Sequence, residues 1–415
     1  MSTTCPAFSV PVGIPVFGLA FVNDKQLVLG GGGGAGRSGV KNRLVLYNID
    51  VRRKELEEEA AFEVPEKEDA PMCLDVHPKD VVIVAGINQS SDRMENGENH
   101  NCRLFTVAKG ERVKLYYSID ERCSFPTLGS KSLDDYQKVV RFSHNGNMLA
   151  TGTTDGHVHI FTYDNRDIKK FTSANLQHEV LDVDINLENE KLTCVLRDAL
   201  KLISLRGKNT GQVVQTVSTS AARKDLGLQY RCFRYGRGVS KELGFAVANS
   251  KKSAAYICVL DAYTLETIKV VKVRTTAHPI HSQDGYMLAF GSADFSLTLM
   301  DTMTLKVLTR IENAHGFSIT SIAISPDRRL LASGSADNTC RVVTLPLQFP
   351  PAFISPIYTL LLALVIAGLV LWVTTIYTGG PAPPGLLGVH LDVAKPTTTL
   401  QASISESLTS TISSA

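Results

Sequence analysis

Three stretches of this chain are copies of one pattern: Leu149-Ala-Thr-Gly-Thr-Thr-Asp155-Gly-His-Val-His-Ile-Phe161, Leu288-Ala-Phe-Gly-Ser-Ala-Asp294-Phe-Ser-Leu-Thr-Leu-Met300 and Leu331-Ala-Ser-Gly-Ser-Ala-Asp337-Asn-Thr-Cys-Arg-Val-Val343. Each reads as a strand, a tight turn whose aspartate can accept from backbone amides, and a second strand that alternates apolar and polar residues. A further strand and polar turn precede each copy, as in Ile319-Thr-Ser-Ile-Ala-Ile-Ser-Pro-Asp327. Weaker copies run from Phe17 to Ile49, Met72 to Val107, Val180 to Leu205 and Arg231 to Asp261, which brings the count to seven.

A small sheet of this kind cannot bury both faces by itself, and radial stacking solves that while protecting the sheet edges. The spacing therefore predicts an all-β, seven-bladed β-propeller over residues 1–348. The third, sixth and seventh units resemble the WD-repeat family in their glycine-to-aspartate turns and in Ala314-His315-Gly316 ahead of the last unit. No Trp-Asp dipeptide occurs, and the sole tryptophan is Trp372, so the propeller is a divergent one. The seventh unit runs out of strand at Leu345 with three strands made, and residues Ala7 to Val12 are expected to supply the fourth and close the ring.

The 44% hydrophobic content supports a large core, and 43 basic against 41 acidic residues provide no basic stripe for a phosphate backbone, which excludes nucleic acid as the main partner. Eight cysteines show no Cys-x-x-Cys pair and no metal-ligand spacing with the histidines. They read as small core hydrophobes in a reducing compartment.

From Ile357 to Ile376 the chain runs through twenty residues without a charge, enough at 1.5 Å per residue to cross about 30 Å of hydrocarbon. Tyr358, Trp372 and Tyr377 fall where aromatic rings settle at membrane interfaces. A transmembrane helix is expected over 353–377. The segment Met1 to Val10 carries no basic residue and no long apolar run follows it, so the propeller is expected in the cytosol. Residues 378–415 form a Ser/Thr-rich tail, expected to be luminal and disordered, with no asparagine to accept N-linked sugar.

The first unit holds the chain's most unusual segment: seven of the ten residues from Gly30 to Gly39 are glycine. Ordering glycine costs the most backbone entropy, so an ordered run needs compensating contacts. Gly34-Ala-Gly36-Arg-Ser-Gly39 matches a dinucleotide fingerprint in letters, and Gly31-x4-Gly36-Arg37-Ser38 resembles a phosphate loop. Both need a helix next, whereas Leu44-Val-Leu-Tyr-Asn-Ile49 reads as a strand. Aligning Gly30 on Gly334 and Leu44 on Val342 makes the run a hairpin turn enlarged by six residues. An inert flexible loop is the bland alternative. The strand at the base of the run and the presented Val40-Lys41-Asn42 argue against it.

A first-blade strand ending in four glycines, a further glycine, then Gly39-Val40-Lys41-Asn42 and a returning strand, on a divergent propeller with one C-terminal span, resembles a known family. These are the endoplasmic-reticulum guanine-nucleotide exchange factors that initiate COPII coat assembly, the group of the prolactin regulatory element-binding protein. The resemblance implies a loop, here Gly36, Arg37, Ser38, Gly39, Val40, Lys41 and Asn42, that engages the coat-initiating small GTPase and expels its nucleotide. It also implies a potassium ion held by the backbone carbonyls of Gly31, Gly32, Gly33 and Gly34, since hard cations favour oxygen. Val40 would be the side chain that enters the GTPase.

On that reading the protein sits in the endoplasmic-reticulum membrane, takes no small-molecule substrate and needs no acid, base or nucleophile. Accordingly His77, His144, His278 and His315, and the turn aspartates Asp155, Asp294 and Asp337, read as structural. The segments 52–69 and 88–101 read as solvated, charged connections. A passive membrane-anchored scaffold for coat or adaptor proteins is the rival class.

Overall fold

The computed structural model describes residues 5–36, 38–111, 115–251, 254–273, 277–281, 285–349 and 356–378. Among these lie seven antiparallel four-stranded sheets, the blades of the expected propeller. In the third blade the strands Gln137–Phe142, Met148–Thr153, His157–Asp164 and Asp167–Asn175 follow one another in simple meander order. The second strands of the third and seventh blades are buried at every position, while the outermost strand of the third alternates exposed and half-buried residues. That gradient is why the second strands read as Met-Leu-Ala-Thr-Gly-Thr or Leu-Leu-Ala-Ser-Gly-Ser and the outer ones as charged.

Glycines in the motif do a job other than turning the chain. A Cβ on Gly334 would lie 2.4 Å from Val16 Cγ1 in the next blade's first strand, one on Gly152 2.6 Å from Val180 Cγ1, and one on Gly30 2.8 Å from Leu74 Cδ2. Neighbouring blades thus touch at a point where only glycine fits. The core fills the wedges between blades: Val16, Leu19, Leu27 and Val45 of the first pack with Ala332, Cys340 and Val342 of the seventh. All eight cysteines are free and seven are buried.

The ring closes as expected. The strand Ala7–Pro11 pairs antiparallel with Thr339–Thr344, from Ala7 opposite Val343 to Pro11 opposite Thr339. It becomes the outer strand of the blade built from Ile319–Ile324, Leu330–Ser335 and Thr339–Thr344. Val12 N to Asn338 O at 2.9 Å and Thr344 N to Pro6 O at 2.8 Å extend the seam at both ends. One expectation is corrected here: much of 52–69 is not a solvated connection, because Glu55–Glu63 is the outer strand of the first blade. Leu56, Ala60 and Phe62 face inward while most of its glutamates stay in water, so a strand with one wet face carries a linker's composition.

The turn residues hold blades together. His315, 6% exposed, contacts Ser333 Oγ at 2.8 Å through Nε2 and Thr339 Oγ1 at 2.9 Å through Nδ1. Asp337 accepts from the Gly316 amide at 2.7 Å and from the Thr339 amide at 2.9 Å. Asp155 accepts the Gly129 and Ser130 amides at 2.8 and 2.9 Å. His77 accepts the Asp80 amide at 2.8 Å, and the side chain of His278 lies outside the described residues.

The residues Met1–Pro350 form one compact unit and Pro351–Ala415 a second. Described in the second is a helix, Pro356–Thr378, whose stretch Leu360–Tyr377 is long and apolar enough to cross a membrane. The leucines, valines and isoleucines of that stretch are exposed, as a lipid-facing helix requires. The expected luminal tail lies outside the described residues.

Two measurements check this architecture. Deleting residues 1–12 removes a strand's worth of backbone hydrogen bonds at about 1 kcal/mol each, so thermal melting is expected several degrees lower; an unchanged midpoint would contradict the closure. Burial pulls His315 below its ordinary pKa near 6.5, despite the neighbouring Asp337 carboxylate. The unfolded chain therefore takes up that proton first on acidification. Stability is complete above the ordinary value and declines as pH falls below it, at up to about 1.4 kcal/mol per pH unit. Melting is expected to drop from pH 7.5 to 5.5, with a shallower drop in His315→Gln.

Candidate functional site

The glycine run leaves the first blade between the strands Gln26–Gly31 and Arg43–Asp50, which pair up to Gly31 opposite Arg43. Here Gly30 faces Leu44, fourteen positions on, whereas in the seventh blade Gly334 faces Cys340, six positions on. The turn has thus gained eight residues, and Leu44 corresponds to Cys340 instead of Val342. A two-residue slip keeps every side chain on its own face, so the letter pattern could not expose it.

Close approach explains the first glycines. A Cβ on Gly31 would lie 1.8 Å from the Pro15 carbonyl oxygen, and Gly32, at φ +147°, would place one 2.2 Å from Asn42 Oδ1. Gly33 would place one 1.7 Å from Ser38 Oγ. Gly36 meets nothing within 4 Å, and Gly39 turns the chain at φ +75°. The base of the loop is therefore packed, and its far part is open.

Asn42 corrects an expectation. It is 6% exposed and anchors the loop without being presented by it. Its Oδ1 accepts the Gly34 amide at 3.0 Å, and its Nδ2 donates to the carbonyls of Gly34 and Glu68, each at 2.9 Å. Asp69 adds a second hold, its Oδ1 accepting the Ala35 amide at 3.2 Å and the Ala70 amide at 2.8 Å. Below, the Glu68 carboxylate meets the buried Arg103 of the second blade at 2.7 Å. Asp69, Glu68 and Arg103 were not singled out from sequence, because their partners lie in other strands and connectors.

Around the tip, Ser38 and Lys41 are exposed, Val40 is half-buried, and Arg37 lies outside the described residues. The Val40 amide donates to Ser38 Oγ at 3.2 Å. Lys41 grips both oxygens of Glu63 at 2.8 and 3.0 Å, and that hydrogen bond holds the Glu63 carboxyl below its ordinary value. Lys41 is thereby laid back along the blade, and Val40 is the apolar side chain left at the tip.

Among the described residues no three His, Cys, Asp or Glu side chains are placed to hold a metal. Oxygen donors at the loop are the glycine carbonyls and the Asp69 carboxylate, a set of the kind that hard cations take. A cavity of about 580 Å³ at the ring's centre is lined by Arg141, Asp182 and Arg234. Arg234 pairs there with Asp182, which also accepts the Phe233 amide at 3.1 Å. The charges serve the joint between blades.

Two segments match the WD domain, G-beta repeat, at 135–162 and 306–343. The first is the inner part of the third blade, and the second runs from the outer strand of the sixth through the seventh. Over 358 residues the chain is 24% identical to the guanine nucleotide-exchange factor SEC12 of Candida glabrata, covering 81% of this chain and 72% of that one. With SEC12 of Mus musculus it shares 22% over 374 residues, 77% of this chain and 86% of the relative. It is also 24% identical to the putative guanine nucleotide-exchange factor SED4 of Candida glabrata, where it covers 80% of itself but spans only 31% of the relative.

The packing of the loop base makes a graded prediction. Gly31→Ala places a methyl on backbone and should destabilise by about 1–3 kcal/mol, while Gly36→Ala should stay within about 0.5 kcal/mol of the parent. Denaturant unfolding of both variants checks it; equal effects would mean that the run is glycine-rich for flexibility alone.

Proposed function

We propose that this chain, which groups by sequence with the WD-repeat guanine nucleotide-exchange factors of the SEC12 kind, uses its glycine loop to release nucleotide from the small GTPase that initiates COPII coat assembly. The observation that carries this reading is a loop whose base is fastened by Asn42 and Asp69 while its tip presents Val40. An exchange factor forms and breaks no covalent bond. It accelerates release by binding the nucleotide-free GTPase more tightly than the loaded one, which stabilises the shared transition complex. A flexible loop would lose that advantage to ordering entropy on contact, whereas a fastened loop has met the cost already.

The apolar helix Pro356–Thr378 suits a single-pass membrane protein, and the endoplasmic reticulum, with the propeller cytosolic, is the location this reading assigns. Carbonyls of Gly31 to Gly34 would hold a potassium ion beside the Asp69 carboxylate. Such an ion supplies a fixed positive charge that draws the carbonyls together, and the chain's own part is to keep them free of side chains.

Nucleotide release from the coat-initiating GTPase, followed with the full chain in liposomes, tests the proposal. Release should exceed the intrinsic rate by at least about tenfold; no acceleration would leave a passive scaffold. Val40→Asp should abolish the acceleration while costing no more than about 1 kcal/mol of stability, as for a half-buried loop side chain. Replacing potassium by lithium at constant ionic strength should slow exchange, and equal rates would remove the ion.

A further inference from the structure

We infer that Asn88 is a positioning residue, through which the second and third blades hold the glycine loop in the shape the GTPase meets. The inference rests on the exchange reading for its purpose, although the coupling itself can be tested without it. Asn88 stands at the start of the enlarged hairpin of the second blade, between the strands Val82–Gly86 and Cys102–Glu111. That hairpin contains the short helix Ser91–Asn96, closed by Gly97 in the left-handed region and packed through the buried Met94. It is a built element, with four asparagines among residues 88–101.

Asn88 is 4% exposed, and each of its polar contacts leads to a different connection on this face of the ring. Its Nδ2 donates to the Asp135 carbonyl at 2.8 Å, in the connection to the third blade. Its Oδ1 accepts from Asn99 Nδ2 at 3.0 Å, and Asn99 in turn accepts the Gln89 amide at 3.0 Å. Its backbone carbonyl accepts the Asp69 amide at 3.0 Å. Asp69 carries the Ala35 amide, and Glu68 beside it receives Asn42 Nδ2. The path from Asp135 to the loop is therefore continuous: Asp135, Asn88, Asp69, Ala35. Thr154 Oγ1, donating to Asp135 Oδ1 at 2.8 Å, extends it into the third blade's own turn.

The chemistry at this node calls for asparagine. It needs a donor toward the Asp135 carbonyl and an acceptor toward Asn99 on one short side chain. Alanine would take this partner from the buried Asn99 amide and from the half-buried Asp135 carbonyl, and aspartate would turn an oxygen toward a carbonyl. Neither change reaches the loop tip, so any effect on exchange must travel through Asp69. That separates a positioning residue from one that touches the GTPase.

The experiment compares Asn88→Ala with Asn186→Ala in the full chain. Asn186 is similarly buried and accepts the Glu190 and Lys191 amides at 2.8 Å in the fourth blade, so its loss softens the propeller with no path to the loop. Amide hydrogen exchange over residues 32–42 reads loop order directly, and nucleotide release from the GTPase reads its use. Asn88→Ala is expected to speed amide exchange at Gly34 and Ala35 at least tenfold and to slow nucleotide release at least fivefold. Asn186→Ala should alter neither while lowering the melting temperature. Unchanged amide exchange in Asn88→Ala, or an equal rise in both variants, overturns the coupling. If Asn88→Ala does not fold, Asp69→Ala interrupts the same path one step nearer the loop and carries the same expectation. If the unmutated chain releases no nucleotide, the exchange reading falls, and the amide data still decide the coupling.

Discussion

Everything in the propeller depends on the seam between Ala7–Pro11 and Thr339–Thr344. Each blade buries its faces only against neighbours, so an open ring would leave both the first and the seventh blade with a wet apolar face. The cluster joining Val16, Leu27 and Val45 to Ala332, Cys340 and Val342 exists only when the ring is shut. Placing the start of the chain on the last blade joins the two ends by backbone hydrogen bonds, and the Leu19 amide on Ser321 Oγ at 3.0 Å adds a tie across the same joint. Seam and wedge support each other, the strand supplying direction and the apolar packing most of the energy.

The glycines tell two stories in one residue type. Gly30, Gly152 and Gly334 are glycine because the next blade arrives within van der Waals distance of their α-carbons, a requirement repeated around the ring. Gly31 at the strand's end and Gly32 just past it extend that crowding, where Pro15 and Asn42 press on the backbone. The loop therefore grows out of a packing rule the fold already obeys. Only at Gly36 and Gly39, past the Ala35 amide that Asp69 holds, does glycine serve openness.

Much of this was legible. The repeat count, the propeller, the closing strand and the structural character of His315 and Asp337 follow from a motif that recurs with its spacing intact. Beside the two-residue slip in the alignment of the turn, two readings went astray for identifiable reasons. The strand Glu55–Glu63 carries a linker's charge because an outermost strand has one face in water. Asn42 sits in a loop of small polar residues, where nothing local says which side chain turns inward. Its three hydrogen-bond contacts all reach backbone placed by the fold.

By itself the sequence determined the architecture, since alternation, turn chemistry and the recurring glycine are local properties, and a four-stranded unit that must bury two faces has few ways to do so. It likewise determined the apolar helix, because length and composition suffice for that. Tertiary structure alone decided how the glycine loop is held. Asp69 and Asn88 are 19 positions apart in the chain and Asn88 and Asp135 are 47 apart, yet they meet on one face of the ring. Hydrogen bonds between separate connections depend on where the blades bring them, and no periodicity in the chain encodes that distance.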